Sequence, residues 1–165
     1  MNALQVTYKA QNTLPLNSLN IASPFTGKVL SIDTHPVAFF RYSTLGPSVL
    51  VELSSHKILA PFNGKLLQVK NAGTEFVLQA DNGIKLLLNL HIIAKKPLSH
   101  TRITQLNGKN ITHSQQLAYF DLLELESPIL ASVVLLNGHN LGRFHFSHTH
   151  VNAGIDPILS IIKKI

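Results

Sequence analysis

Residues 23–32 read SPFTGKVLSI, and residues 60–69 repeat this stretch as APFNGKLLQV, with five of the ten positions identical. The proline at the second position and the glycine at the fifth are shared. Because proline fixes φ ahead of a strand and glycine permits a tight corner, each copy predicts a strand, a corner and a second strand. Two such units predict a pseudo-symmetric pair of sheets. The alternative is that PF-x-GK recurs only as a common turn.

The rest of the chain is divided by Gly, Pro and Asn into short apolar stretches at fairly regular intervals. Examples are VLVEL at 49–53, FVLQA at 76–80, ASVVLL at 131–136 and ILSII at 158–162. This spacing predicts an all-β domain, a sandwich or barrel of many short strands. A helix is an option only at 99–106, where the pattern is ambiguous.

The N-terminal residues 1–19 are polar and weakly patterned, so we predict a flexible tail there and one β domain at 20–165. The N-terminus lacks the basic segment and apolar core of a signal peptide. No apolar run approaches the roughly 18 residues of a membrane span. We therefore predict a cytoplasmic protein without a transmembrane segment.

The composition is that of a globular domain, with 45% hydrophobic and 13% charged residues. The formal net charge is +6, but the basic residues are scattered, which argues against a nucleic-acid-binding surface. Cysteine is absent, and this excludes disulfides and thiol chemistry. We predict no cofactor.

Several stretches in a fixed order resemble the glucose-type enzyme IIA of the bacterial sugar phosphotransferase system. Besides the repeat, they are VLVEL at 49–53, HKILAPFNG at 56–64, FVLQADNGIKLLLNL at 76–90 and VNAGIDPILSI at 151–161. The resemblance covers about nine tenths of the chain. It implies a β-sandwich with a duplicated hairpin-like motif.

The resemblance also implies where the active site lies. In this family one histidine takes a phosphoryl group from the histidine-containing phosphocarrier protein and passes it to the IIB domain, while a second histidine supports it. With the register anchored by the turn at 81–83, the nucleophile position falls on Asn89 and the supporting position on Thr74. The threonine that accompanies the supporting histidine falls on Ala72.

Asn89 cannot replace the nucleophile, because the lone pair of its amide nitrogen is delocalised into the carbonyl. The sequence therefore predicts a degenerate member of the family that acts by protein binding or regulation, with phosphoryl transfer weak or absent.

His91 is the alternative phosphoacceptor. It lies two residues after Asn89, so on a strand both side chains point to the same face. Two residues of strand shift the side chain by about 6.6 Å, and an unchanged partner protein would not meet it. A two-residue register slip would restore it to the active position. His91 can equally be a half-buried strand histidine.

Phe39 and Phe40 fall where the family has the apolar rim that contacts partner proteins. Core packing is the equally weighted alternative, and on a strand two adjacent residues face opposite ways, which predicts that one of them is inside. The implied partners are the phosphocarrier protein, a IIB domain or a regulated target. Family members are usually acidic, so the basic charge of this chain favours an altered partner.

His145, His148 and His150 are weak candidates for a metal site. His148 and His150 would share a strand face, as in the H-x-H pair of lysostaphin-type zinc peptidases, which have a related fold. The sequence lacks the glycine-rich run before that pair and the upstream His-x3-Asp motif of those enzymes. Solvated loop histidines are the default interpretation, and a zinc hydrolase is the third functional hypothesis.

Overall fold

A computed structural model describes residues 6–8, 18–94, 98, 101–104, 107–138 and 143–162. This part of the chain is made of short strands, one four-residue helix and three 3-10 turns. The strands are β1 (Val6–Tyr8), β2 (Ser18–Ala22), β3 (Gly27–Leu30), β4 (Ser48–Leu53), β5 (Lys57–Leu59), β6 (Gly64–Lys70), β7 (Glu75–Ala80), β8 (Lys85–His91), β9 (Arg102–Ile103), β10 (Asn110–Ile111), β11 (Gln116–Tyr119), β12 (Leu130–Leu135), β13 (Arg143–Phe146) and β14 (Pro157–Ile162). The helix is α1 (Ala38–Arg41), and the 3-10 turns are Ile32–Thr34, Asn71–Gly73 and Leu122–Glu124.

The strands form three sheets. The largest has seven strands in the order β10-β6-β7-β8-β12-β4-β3, and every neighbouring pair in it is antiparallel. A second sheet has the order β1-β13-β14-β2, and a third has the order β5-β11-β9. This arrangement confirms the predicted all-β sandwich.

Each copy of the repeat carries the chain from a smaller sheet into the large one. The corner at 23–26 joins β2 to β3, and the corner at 60–63 joins β5 to β6. The first residue of each corner makes an equivalent hydrogen bond. The carbonyl oxygen of Ser23 accepts from the N–H of Gly154 at 2.8 Å, and that of Ala60 accepts from the N–H of Ser114 at 2.9 Å. The strand, corner and strand predicted for each copy are confirmed.

The repeated glycines start β3 and β6 at points of close backbone approach. A Cβ atom on Gly27 would overlap the carbonyl oxygen of Glu52, and one on Gly64 would overlap that of Gln79. The neighbouring strand is therefore the reason for glycine at both positions.

The core lies between the sheets and includes five phenylalanines that are almost fully buried, Phe25, Phe76, Phe120, Phe144 and Phe146. The strands of the large sheet alternate in the usual way, and on β8 the leucines at 86, 88 and 90 face this core. Residues 87, 89 and 91 consequently face the opposite side, here called the outer face.

The outer face of the large sheet is partly covered by the chain after β3. Leu50 on β4 points to this face and is fully buried, although its neighbours Val49 and Val51 face the core. The 3-10 turn Ile32–Thr34, which contacts β4, provides the cover, and Ile32 is buried there. A small apolar layer therefore fixes this 3-10 turn above the sheet.

The structure tests the predicted helix at 99–106 but not the division into an N-terminal tail and a domain. The helix option at 99–106 is wrong in the part that the structure describes, because Arg102–Ile103 is a strand that pairs with β11. The division into a tail and a domain stays a prediction, with β1 paired to β13 and β2 beginning at Ser18. Among the described residues no helix has the length and apolar character that crossing a bilayer requires.

Candidate functional site

Asn89 lies on the outer face of β8, in the middle of the large sheet. Its cross-strand neighbours on the same face are Glu75 on β7 and Ser132 on β12. The side chain is 8% exposed, and Nδ2 donates a hydrogen bond to Oε1 of Glu75 at 3.1 Å. A carboxylate next to an amide on a neighbouring strand satisfies the buried donor. No local sequence signal marks Glu75 as part of this site, because only strand register brings it to Asn89.

Ser132 completes this polar row and is fully buried. Its Oγ has no hydrogen-bond partner among the described residues. The row therefore places a carboxylate, an amide and a hydroxyl side by side on the outer face.

Thr74 sits at the turn that leads into β7. Three residues before it have positive φ, with values of 52° at Asn71, 56° at Ala72 and 84° at Gly73. The first two are strained positions for residues with a side chain, and such strain is concentrated at functional sites. The carbonyl oxygen of Thr74 accepts a hydrogen bond from the N–H of Leu90 at 2.8 Å, which ties the turn to β8.

The side chains of Thr74 and Asn89 make separate hydrogen bonds. Oγ1 of Thr74 donates to the carbonyl oxygen of Asn71 at 2.8 Å, within its own turn, whereas the amide of Asn89 donates to Glu75. The backbone brings Thr74 beside the end of β8, but the hydrogen bonds do not join the two side chains.

His91 is half-buried on the outer face, opposite Leu130 of β12. Its ring centroid lies 5.6 Å from that of His35, with the rings at 64° to each other. His35 was missed in the sequence, where its only local signal is the proline that follows it and favours its extended backbone.

His35 is fully buried and holds the chain before α1 in place. Its Nδ1 accepts a hydrogen bond from the N–H of Val37 at 3.0 Å, and its carbonyl oxygen accepts one from Nη1 of Arg41 at 3.2 Å. Its ring lies 5.0 Å from that of Phe40, centroid to centroid. Nε2 is buried and has no hydrogen-bond partner among the described residues.

Burial is the main reason why the pKa of His35 is lowered, and the positive charges that His91 and Arg41 carry or can carry act in the same direction. The hydrogen bond to Val37 also acts on this pKa. A carbonyl oxygen facing the ring would stabilise the imidazolium and raise the pKa, but Val37 presents its N–H to Nδ1, and an N–H donor favours the neutral ring. His35 is therefore a neutral imidazole at pH 7.

Phe39 and Phe40 lie on α1, so the strand expected at this position is wrong, as is the expectation that one of them is in the core. Phe39 is 46% exposed, and Phe40 is partly buried against the ring of His35. Their own rings meet at 90°, 5.5 Å apart. One helical turn can place both side chains outside, because α1 buries none of its residues.

Phe39 belongs to a longer run of exposed apolar side chains. Residues 37–45, here called the exposed segment, also present Val37, Tyr42 and Leu45 to solvent, each at least 38% exposed. Arg41 lies 5.4 Å from the Tyr42 ring centroid and adds a positive charge. A contiguous apolar surface of this kind is typical of protein interaction sites.

The fold and these positions can be compared with known proteins. A family model described as the phosphoenolpyruvate-dependent sugar phosphotransferase system, EIIA 1, matches residues 19–141. The chain belongs to this EIIA family. The resemblance seen in the sequence is thereby confirmed at the level of the family.

A solved structure shares the EIIA fold. The glucose permease IIA from Mycoplasma capricolum superposes with a TM-score of 0.70 at 18% sequence identity, covering 88% of this chain and 96% of that one. At this identity the likeness concerns the fold. No curated protein sequence matches the chain significantly.

His148 and His150 of this EIIA-family chain lie in an exposed loop, in agreement with the default interpretation, whereas His145 does not. His145 is buried in β13, opposite Ser160, whereas His148 and His150 are exposed beyond the end of that strand. The expectation that the last two share a strand face is wrong, since neither is on a strand. In the described parts of the chain, no three His, Asp or Glu side chains are grouped to hold a metal ion.

Proposed function

We propose that this EIIA-family chain works in the cytoplasm by binding protein partners and does not carry a phosphoryl group at the family position, Asn89. The observation that supports this most directly is the buried amide of Asn89, which donates to Glu75. Phosphoryl transfer to a protein side chain requires a nucleophile with a free lone pair, and a carboxamide nitrogen has none. The outer face thus holds a polar row without a nucleophile at the family position.

The exposed segment supports binding as the remaining role. It presents apolar side chains next to the row that contains Asn89, as Phe40 packs on His35 and His35 lies against His91 on the same strand as Asn89. We propose that this surface meets the phosphocarrier protein, a IIB domain or a regulated target. The net charge of +6 favours a partner whose contact surface is acidic.

The proposal is tested by incubating the chain with phosphorylated phosphocarrier protein and measuring both phosphate retention and binding. We expect binding without retained phosphate, and weaker binding after Phe39→Ala. Leu123→Ala is the matched control, because Leu123 is 88% exposed on a different turn. Stable phosphohistidine in the wild-type chain would contradict the first part, and equal binding by both variants would contradict the second.

His91 as phosphoacceptor is a second candidate, which the contact with His35 favours. The half-buried ring of His91 lies against the buried ring of His35, and Nε2 of His35 has no hydrogen-bond partner among the described residues. A ring nitrogen of His91 would form the new N–P bond while the N–P bond to the carrier's histidine breaks, and the carrier would keep that electron pair. Label that is retained by the wild type and lost in His91→Gln would favour this candidate over the first.

A further inference from the structure

His35 makes three contacts with the exposed segment. The N–H of Val37, the first residue of the segment, donates to its ring, and Arg41 donates to its carbonyl oxygen. Phe40 packs on the same ring. Since α1 buries no residue of its own, these contacts help to hold the segment against the domain.

The hydrogen bond from Val37 can exist only while Nδ1 of His35 is unprotonated. An N–H is a donor, so Nδ1 must supply a lone pair, and the single ring proton must sit on Nε2. Protonation would place two donors against each other and put a charge on a side chain that has no exposed surface.

The surroundings of His35 offer no compensation for such a charge. The elements around it carry Asp33 on the 3-10 turn, Arg41 on α1, Glu52 on β4, and Lys85 and His91 on β8. The two side chains that act electrostatically on the ring are His91 and Arg41, and neither can supply a negative charge. An imidazolium at this position is therefore opposed by burial, by its neighbours and by the Val37 N–H.

We propose that protonation of His35 releases the exposed segment from the sheet, so that the apolar surface around Phe39 keeps its shape only while His35 is neutral. The release follows from the contacts of His35 alone. Its consequence, that mild acidity weakens partner binding, rests on the proposed function.

The release is measured without a partner, by amide hydrogen exchange of the full chain between pH 8 and pH 5. Exchange rates are divided by the intrinsic rate at each pH to give protection factors. We expect the protection of Val37 to fall about tenfold or more below pH 6.5, the ordinary pKa of histidine, because each proton bound on opening shifts the equilibrium by up to tenfold per pH unit. Leu90, whose N–H donates to Thr74 within the sheet, should lose less protection than Val37 and remain far better protected at every pH.

His35→Asn is the decisive variant, because Oδ1 of asparagine can accept from Val37 but does not titrate. Its Val37 protection should not depend on pH. His56→Asn is the matched control: Nδ1 of His56 also accepts a backbone N–H, from Leu122 at 3.1 Å, but in a side chain that is 37% exposed. This variant should keep the pH response of Val37.

Where His35→Asn does not fold, the ring titration of His35 in the wild type decides, since it must coincide with the loss of Val37 protection. Protection that stays constant to pH 5, or that falls without protonation of His35, overturns the proposal. Failure of partner binding at pH 8 would count against the proposed function and leave the release intact, so the two are separable.

Discussion

Oε1 of Glu75 accepts a hydrogen bond from Nδ2 of Asn89 at 3.1 Å, between residues that face each other across β7 and β8. The bond satisfies a nearly buried amide in the middle of the large sheet. Asn89 and Glu75 thus stabilise each other, and the carboxylate of Glu75 lowers the cost of burying the Asn89 amide.

Removing the carboxylate should leave the amide of Asn89 without its acceptor. We expect Glu75→Ala to lower the free energy of unfolding by about 1–3 kcal/mol, the usual cost of an unsatisfied buried donor. Glu75→Gln keeps an acceptor oxygen and should cost clearly less. Urea denaturation measures both variants, and equal losses would show that the hydrogen bond does not matter for stability.

Restoring imidazoles at the family positions should restore phosphate acceptance if the partner surface is intact. We expect Asn89→His combined with Thr74→His to retain label from phosphorylated phosphocarrier protein, because an imidazole nitrogen offers the lone pair that the amide lacks. Asn89→Gln is the control, as it lengthens the side chain without adding a nucleophile. A double variant that folds and binds but takes no label would mean that the geometry for transfer is lost as well.

The two phenylalanines of α1 should differ in stability. Phe39 is 46% exposed, so Phe39→Ala should change the free energy of unfolding by no more than about 0.5 kcal/mol. Phe40 packs on the ring of His35, and Phe40→Ala should cost about 1–2 kcal/mol. Thermal and urea unfolding give the comparison, and a larger loss at Phe39 would refute the assignment.

The glycines of the repeat should tolerate no side chain. We expect Gly27→Ala and Gly64→Ala each to cost about 3 kcal/mol or more, because the added methyl group would overlap a carbonyl oxygen of the neighbouring strand. Gly83→Ala is the control: no atom lies within 4 Å of its Cβ position, and only its φ of 92° should cost about 1–2 kcal/mol. Similar losses at all three positions would exclude the close approach as the cause.

Global stability should fall as the pH drops from 7.5 to 5.5. The pKa of His35 is lowered in the folded state, chiefly by burial, so the unfolded chain binds a proton that the folded chain does not. The contribution of His35 is complete above about pH 6.5, the unfolded pKa, and is lost as the pH falls below it. Urea unfolding of His35→Asn should show a shallower pH dependence, and an identical slope would disprove the assignment.

The strand, corner and strand of the repeat could be predicted from the sequence, because proline restricts φ and the same residue types recur in both copies. The reason for the glycines could not, since Gly27 and Gly64 face carbonyl oxygens of strands that are distant in the sequence or reached only through a hairpin. The assignment of Asn89 to the family's nucleophile position stays a prediction. The apolar pair Phe39 and Phe40 was misassigned, because two adjacent aromatic residues suit a strand and a helical turn alike.

Only the tertiary structure decided which side chains meet. His35 and His91 lie far apart in the chain and come together because the 3-10 turn before His35 packs on the outer face of the large sheet. Glu75 becomes the partner of Asn89 through strand register, and His145 is separated from His148 and His150 because β13 ends between them. Local sequence determines backbone conformation through sterics, whereas contacts between distant side chains depend on how the sheets pack.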